Sequence, residues 1–229
     1  MSIPKVIHYC WFGRNPLPEK ALVCIASWQK FCPDYEIKQW NEDNFDFSGN
    51  RYAREAYEAK KWAFVSDYAR LAVLYDHGGI YMDTDVELLK PLDEFLAEDA
   101  FSGFESDRYG ITGIMAARAG HPWMGAMLNS YTDRPFLGED GTPDLTTNTE
   151  SATALMIRDF GFVPGGSDQI LRSGIHIYPT DWFCPKDWRD GVICTTGNTH
   201  AIHHYAGSWV DHAEQRFTAR FKKLIPIFG

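Results

Sequence analysis

The chain has 229 residues, of which 45% are apolar and 23% charged, a globular composition rather than a fibrous or disordered one. Its net charge of −9 and pI near 5.3 repel a polyanion, which sets nucleic acid aside as a partner. No apolar run approaches the roughly 20 residues that cross a bilayer, and five cysteines without a CxxC pair argue against a disulfide framework or a zinc cage.

The unpaired cysteines point to a reducing cytoplasm as the expected location, and the N-terminus, MSIPKVIHYCWFG, lacks the charged head and long apolar stretch of a secretion signal. Lys5 to Trp11 is rich in β-formers and predicts a first strand. After the breaker GRNPLP, the apolar spacing of Ala21, Ile25 and Trp28 predicts a helix over 19–31. A short second strand follows over 36–40, then a polar loop over 41–50. One long helical region is expected from about Arg51 to His77, ended by Gly78 and Gly79. Ile80 to Met82 enters a strand that finishes at two aspartates. Further strands are expected over 100–104, 113–117, 175–178 and 201–205, and helices over 122–131 and 149–160. Strands alternating with helices in the first half imply a mainly parallel sheet, and the irregular second half makes it mixed. The length suits one α/β domain over 1–229, with 211–229 as a basic amphipathic C-terminal tail.

The segment HGGIYMDTDVELL places Asp83 and Asp85 one residue apart at the end of the 80–82 strand. Residues at that spacing project to one side of an extended chain, and ligands of open α/β sheets bind outside such strand ends. Converging carboxylates repel each other unless a hard cation such as Mg²⁺ or Mn²⁺ sits between them, and that ion can take a diphosphate as a further ligand. A DxD by itself is weak: both residues also fit a loop or a cap. Asp67 and Arg70, three apart in FVSDYARL, share a helix face. They read either as a surface ion pair or as a clamp in which Asp67 accepts from hydroxyls and Arg70 holds an anion. In HAIHHYAGSWVDH, His204 offers a nitrogen to the same cation and Ser208 and Trp209 offer contacts to phosphate; the plain alternative is that His203 and His204 alternate on a half-buried strand. Trp11, beside Gly13, reads as a stacking platform for a flat ring or as core.

The blocks IPKVIHYCWFG, FVSDYARLAVLYDHGGIYMDTDV and HHYAGSW together resemble glycosyltransferase family 32, the DxD sugar-binding-region family, in its bacterial capsular-polysaccharide form. They are more distantly similar to the large clostridial glucosylating toxins. The resemblance is good over residues 3 to about 90, fair over 200–209 and loose between. It implies a GT-A fold and transfer of a hexose from a nucleotide-sugar, with a UDP-hexose preferred, to a saccharide or lipid-linked saccharide acceptor. It also implies a bound Mn²⁺ or Mg²⁺ and retention of the donor's configuration. By the same resemblance Trp11 stacks the nucleobase, Asp67 and Arg70 hold sugar hydroxyls, Asp83 bridges ribose and sugar, Asp85 ligates the metal, and Ser208 and Trp209 close over the diphosphate. His204 falls where GT-A enzymes often place a further metal ligand. Asn148 and Glu105 are candidates on the acceptor or sugar side, although a helix cap explains Asn148 equally well.

The tail carries Arg216, Arg220, Lys222 and Lys223 among Phe217, Phe221, Leu224 and Ile225. It suits an anionic membrane surface, where lipid-linked acceptors reside, or a helix packed on its own domain. Two rivals remain for the whole chain. YMDTDV resembles the nucleophile motif of haloacid-dehalogenase-type phosphatases, although about eighty residues precede it. A sugar-nucleotide-binding protein without activity would share the fold.

Overall fold

The computed structural model describes residues 2–207. Its elements in chain order are β1 (Val6–Cys10), α1 (Glu19–Phe31), β2 (Glu36–Trp40), α2 (Arg51–Glu58), α3 (Trp62–His77), β3 (Gly79–Met82), β4 (Val86–Leu88), β5 (Ala100–Gly103), β6 (Ile114–Ala117), α4 (Pro122–Asn129), α5 (Asn148–Leu155), β7 (Gln169–Ile170), β8 (Ile175–Tyr178), α6 (Thr180–Phe183) and β9 (Ala201–His203).

Seven strands form one sheet in the order β2-β1-β3-β6-β5-β8-β7. Neighbours β2/β1, β1/β3 and β5/β8 run parallel, whereas β6 and β7 run against their neighbours. The sheet is mixed and mostly parallel, as the alternation of elements implies. Side chains alternate between two apolar layers. Cys10, Tyr81, Met115 and Ala117 face the layer that holds α2 to α5, while Ile7, Tyr9, Ile80, Met82, Ile114 and Ala116 face the layer containing Trp28 of α1 and Phe95. The central strands β3, β5 and β6 are buried at every position because both of their faces are covered, whereas the edge strands β2 and β7 keep polar residues.

Two expectations are corrected. The single long helix is two, because Lys60 takes a left-handed conformation (φ 57) between α2 and α3, and Lys61 N–H bonds back to Ala56 O at 2.9 Å. The strand β4 was not expected. It pairs antiparallel with β9, Val86 opposite His203, as a small second sheet beside the main one.

Gly78 (φ 66) and Gly79 (φ 105) end α3 as expected. A Cβ on Gly78 would stand 2.6 Å from Ala119 N, and one on Gly79 2.8 Å from Val6 O. Both the backbone conformation and the space therefore require glycine here, and this tight exit sets where β3 begins and where it delivers Asp83.

Because β1, β3 and β5 run the same way, their C-terminal ends open on one edge of the sheet. Trp11, Asp83 and Glu105 follow those ends at that edge.

Candidate active site

Asp83 and Asp85 lie in the turn between β3 and β4, not on an extended strand: Val86 N–H closes the turn onto Asp83 O at 3.0 Å. The convergence deduced from strand geometry is thus produced by a turn. Asp83 is anchored from several sides. Its N–H donates to Gly113 O at 2.8 Å, the Tyr81 hydroxyl donates to its Oδ1 at 2.8 Å, and Arg70 Nη2 lies 3.3 Å from the same oxygen.

Arg70 and Asp67 are not a surface pair. Their side chains are 5% and 10% exposed and meet at 2.8 Å. Arg70 also donates through Nη1 to Thr112 O at 2.8 Å, and its guanidinium lies 4.6 Å from the centre of the Tyr81 ring. One planar fork thus ties α3 to the aspartate turn and to the start of β6, as an ammonium group could not. Burial pushes the Asp67 carboxyl up to about 6, even with Arg70 drawing it down.

His203, rather than His204, stands beside the aspartates. Its Nε2 is 3.4 Å from Asp85 Oδ1, while His204 Nε2 turns to Glu87 Oε2 at 2.8 Å. The reason is the register of β9 against β4, which points successive side chains to opposite sides. Burial disfavours the His203 imidazolium, yet Asp85 carries its pKa well above the usual histidine value. Burial likewise opposes ionisation of Asp85, but His203 and the Ala206 N–H, which donates to Oδ2 at 2.7 Å, more than offset it and leave the carboxyl at about 2.

One ligand atom from each of Asp83, Asp85 and His203 lies within 4.8 Å of the others. Two ligands at about 2.3 Å from one ion stand at most about 4.6 Å apart, so a small inward adjustment of these side chains brings all three onto a single ion. Two carboxylates and an imidazole form a donor set that Mn²⁺ accepts, and Mg²⁺ with water completing its shell. Gly113 keeps the space open: a Cβ there would stand 3.2 Å from Asp83 Oδ2 and 3.3 Å from His203 Nε2.

The remaining candidates arrange themselves around this centre. Trp11 is half-buried at the end of β1, and its indole N–H donates to Asn15 O at 2.7 Å. Asn148 is not a cap: Thr147 caps α5, its hydroxyl accepting from Glu150 N–H at 3.3 Å, and Asn148 Oδ1 accepts from the Thr112 hydroxyl at 2.9 Å. Glu105 Oε2 accepts from the Thr149 hydroxyl at 3.2 Å. Asp67, Arg70, Thr112, Tyr131 and Asn148 line a cavity of about 10 Å³, room for one water molecule. Ser208, Trp209 and the 211–229 tail lie outside the described residues. The sequence reading missed Tyr81, Thr112, Gly113 and His203. Tyr81 and His203 sat beside the singled-out aspartates and His204, but neither neighbour says which way a side chain points.

Residues 18–102 match the glycosyltransferase sugar-binding region containing a DXD motif. Inositol phosphoceramide mannosyltransferase 3 of Schizosaccharomyces pombe is 30% identical over 127 residues, 54% of this chain and 35% of that protein. The chain therefore spans about a third of that relative. An uncharacterized glycosyltransferase, L373, of Acanthamoeba polyphaga mimivirus is 27% identical over 227 residues, covering 92% of this chain and 85% of the viral protein. Among solved structures, the PaToxG glycosyltransferase superposes with a TM-score of 0.52 at 21% identity, covering 69% of each chain. The fold is of the GT-A glycosyltransferase type, with a mixed sheet flanked by helices. Among the described residues, no helix is long and apolar enough to cross a membrane.

Proposed function

We propose that the chain is a metal-dependent, retaining glycosyltransferase that moves a hexose from a nucleotide-sugar to a hydroxyl of a saccharide or lipid-linked saccharide. The observation that carries this reading is the convergence of Asp83, Asp85 and His203 within 4.8 Å, beside the buried Asp67–Arg70 pair.

Departure of a diphosphate is the hard step, because negative charge grows on its oxygens. A dication held by Asp83, Asp85 and His203 supplies Lewis-acid neutralisation of that charge. Arg70 adds a fixed cation whose geometry is preset by Asp67, Asp83 and Thr112 O, so no reorganisation is needed as charge develops. Asp67 is read as accepting from a sugar hydroxyl, for which the one-water cavity beside it has to open on binding, and Trp11 offers a flat surface to the base. Asp83 is held by Tyr81 and Arg70, an environment for a fixed acceptor of hydrogen bonds rather than for a nucleophile, which disfavours the phosphatase reading.

The donor is read as a UDP-hexose and the setting as capsular or other surface polysaccharide synthesis, with the 211–229 tail on an anionic membrane. The name of the fission-yeast relative, a mannosyltransferase acting on a lipid, keeps GDP-mannose beside UDP-sugars in the test and supports a lipid-linked acceptor. The test is a thermal-shift panel of UDP- and GDP-sugars with and without Mn²⁺. One sugar nucleotide should raise the melting temperature only when Mn²⁺ is present, and Asp85→Asn should abolish the shift. No shift with any sugar nucleotide would overturn the reading; a shift with GDP-mannose alone would replace the UDP preference.

A further inference from the structure

Glu105 stands at the same edge of the sheet as Asp83, just past the end of β5. Its loop is tightly closed. Phe104 pairs with Gly110, Glu105 N–H donates to Tyr109 O at 2.8 Å, and Gly110 N–H donates to Thr153 Oγ1 of α5 at 3.0 Å. The carboxylate is therefore presented by a fixed frame, not by a free surface loop.

One of its oxygens is spoken for and the other is not. Oε2 accepts from Thr149, whereas Oε1 has no hydrogen-bond partner among the described residues. Burial pushes the Glu105 pKa up, His203 and Thr149 draw it down, and Asp83 and Asp85 add to the rise. The Oε1 atom is reached by solvent and is free to accept from a ligand hydroxyl.

The Thr149 hydroxyl also meets Thr112 Oγ1 at 3.2 Å, Thr112 donates to Asn148, and Thr112 O holds Arg70. Glu105 is thus linked through hydroxyls to the guanidinium of the Asp67–Arg70 pair.

We propose that Glu105 is a donor-sugar residue, its Oε1 accepting one hydroxyl of the transferred hexose and sorting hexoses by where that hydroxyl lies. This rests on the glycosyltransferase reading above and adds a specificity residue to it. The amide of a glutamine would still accept through its carbonyl but without charge, and alanine would accept nothing.

The test is titration calorimetry in Mn²⁺ with UDP, GDP, UDP-glucose, UDP-galactose, UDP-N-acetylglucosamine and GDP-mannose. The unaltered chain, Glu105→Ala and Glu105→Gln are compared, with Thr149→Val as a variant that frees Oε2 without removing the carboxylate. Glu105→Ala should bind the preferred sugar nucleotide about ten- to hundredfold more weakly while binding the bare nucleoside diphosphate unchanged. Glu105→Gln should lose less and change the ranking of the sugars. Equal weakening of both ligands, or no change in either, would overturn the proposal. If Glu105→Ala does not fold, sugar ranking by Glu105→Gln identical to that of the unaltered chain would overturn it. Should the unaltered chain bind the diphosphates but no sugar nucleotide, or nothing at all, the fault lies in the glycosyltransferase reading and this inference falls with it.

Discussion

Asp85 and His203 face each other at 3.4 Å, Asp85 next to the start of β4 and His203 at the end of β9. Residues 118 positions apart meet because Val86 is opposite His203 in the antiparallel pair. The pairing also fixes which histidine faces inward, and that makes a sharp contrast testable. Replacing His203 with alanine should weaken Mn²⁺ binding by at least about tenfold, since a ligand is lost. His204→Ala should leave it within about twofold, because His204 pairs with Glu87 on the other side. Calorimetric titration with MnCl₂ checks both; the reverse ranking would restore His204 as the ligand.

Arg70 holds Asp67, Asp83 and Thr112 O together from a buried position. Removing it by Arg70→Met strands the Asp67 carboxylate in the interior, and breaking a buried pair in this way costs about 3–5 kcal/mol. Arg70→Lys keeps the charge and loses the fork, so it should also destabilise, by a smaller amount. Urea unfolding of the two variants beside the unaltered chain measures this. Losses below about 0.5 kcal/mol in both would show the pair to be solvent-screened.

His8 is a built-in acid sensitivity far from the aspartate turn in role, though on the neighbouring strand. Its Nε2 donates to Gly78 O at 2.9 Å and its Nδ1 accepts from Trp40 Nε1 at 3.1 Å. Only the neutral ring with its proton on Nε2 satisfies both partners, because a second proton on Nδ1 would face the indole N–H. Burial lowers its pKa from 6.5 to about 4. Above pH 6.5 both states are neutral and the residue adds no pH dependence. Between pH 6.5 and 4 the unfolded chain binds a proton that the folded one does not, so stability falls as pH falls, by about 3 kcal/mol in total. Asp67, raised to about 6, binds a proton in the folded state over much of the same range and works in the opposite direction, so the His8 share is read as a difference: between pH 7 and 4 His8→Gln should lose less stability, or gain more, than the unaltered chain.

The sequence disclosed what is local. Apolar spacing located α1, the Pro33–Asp34 turn placed β2, and the double glycine marked the end of α3, because each signal is carried within a few residues. It did not disclose the break at Lys60, where neither glycine nor proline marks the left-handed turn, nor β4, too short at three residues for any period to show. At the site, Asp67 and Arg70 were legible as a pair from their i,i+3 spacing. Their burial was not, because it depends on Thr112, 42 residues beyond Arg70. Tyr81 read as one more apolar strand residue, since its hydroxyl acquires a role only when Asp83 is placed beside it. The choice between His203 and His204 needed the register of a strand pair formed across more than a hundred residues.

The central claim is that Asp83, Asp85 and His203 hold one dication against a nucleotide-sugar. The most direct measurement is the anomalous scattering of manganese in crystals grown with MnCl₂ and the sugar nucleotide that shifts the melting temperature. A single manganese peak within about 2.3 Å of Asp85 and His203, with the diphosphate on its open side, is the predicted result. A peak elsewhere, or ordered nucleotide with no manganese between it and Asp85, would contradict the account.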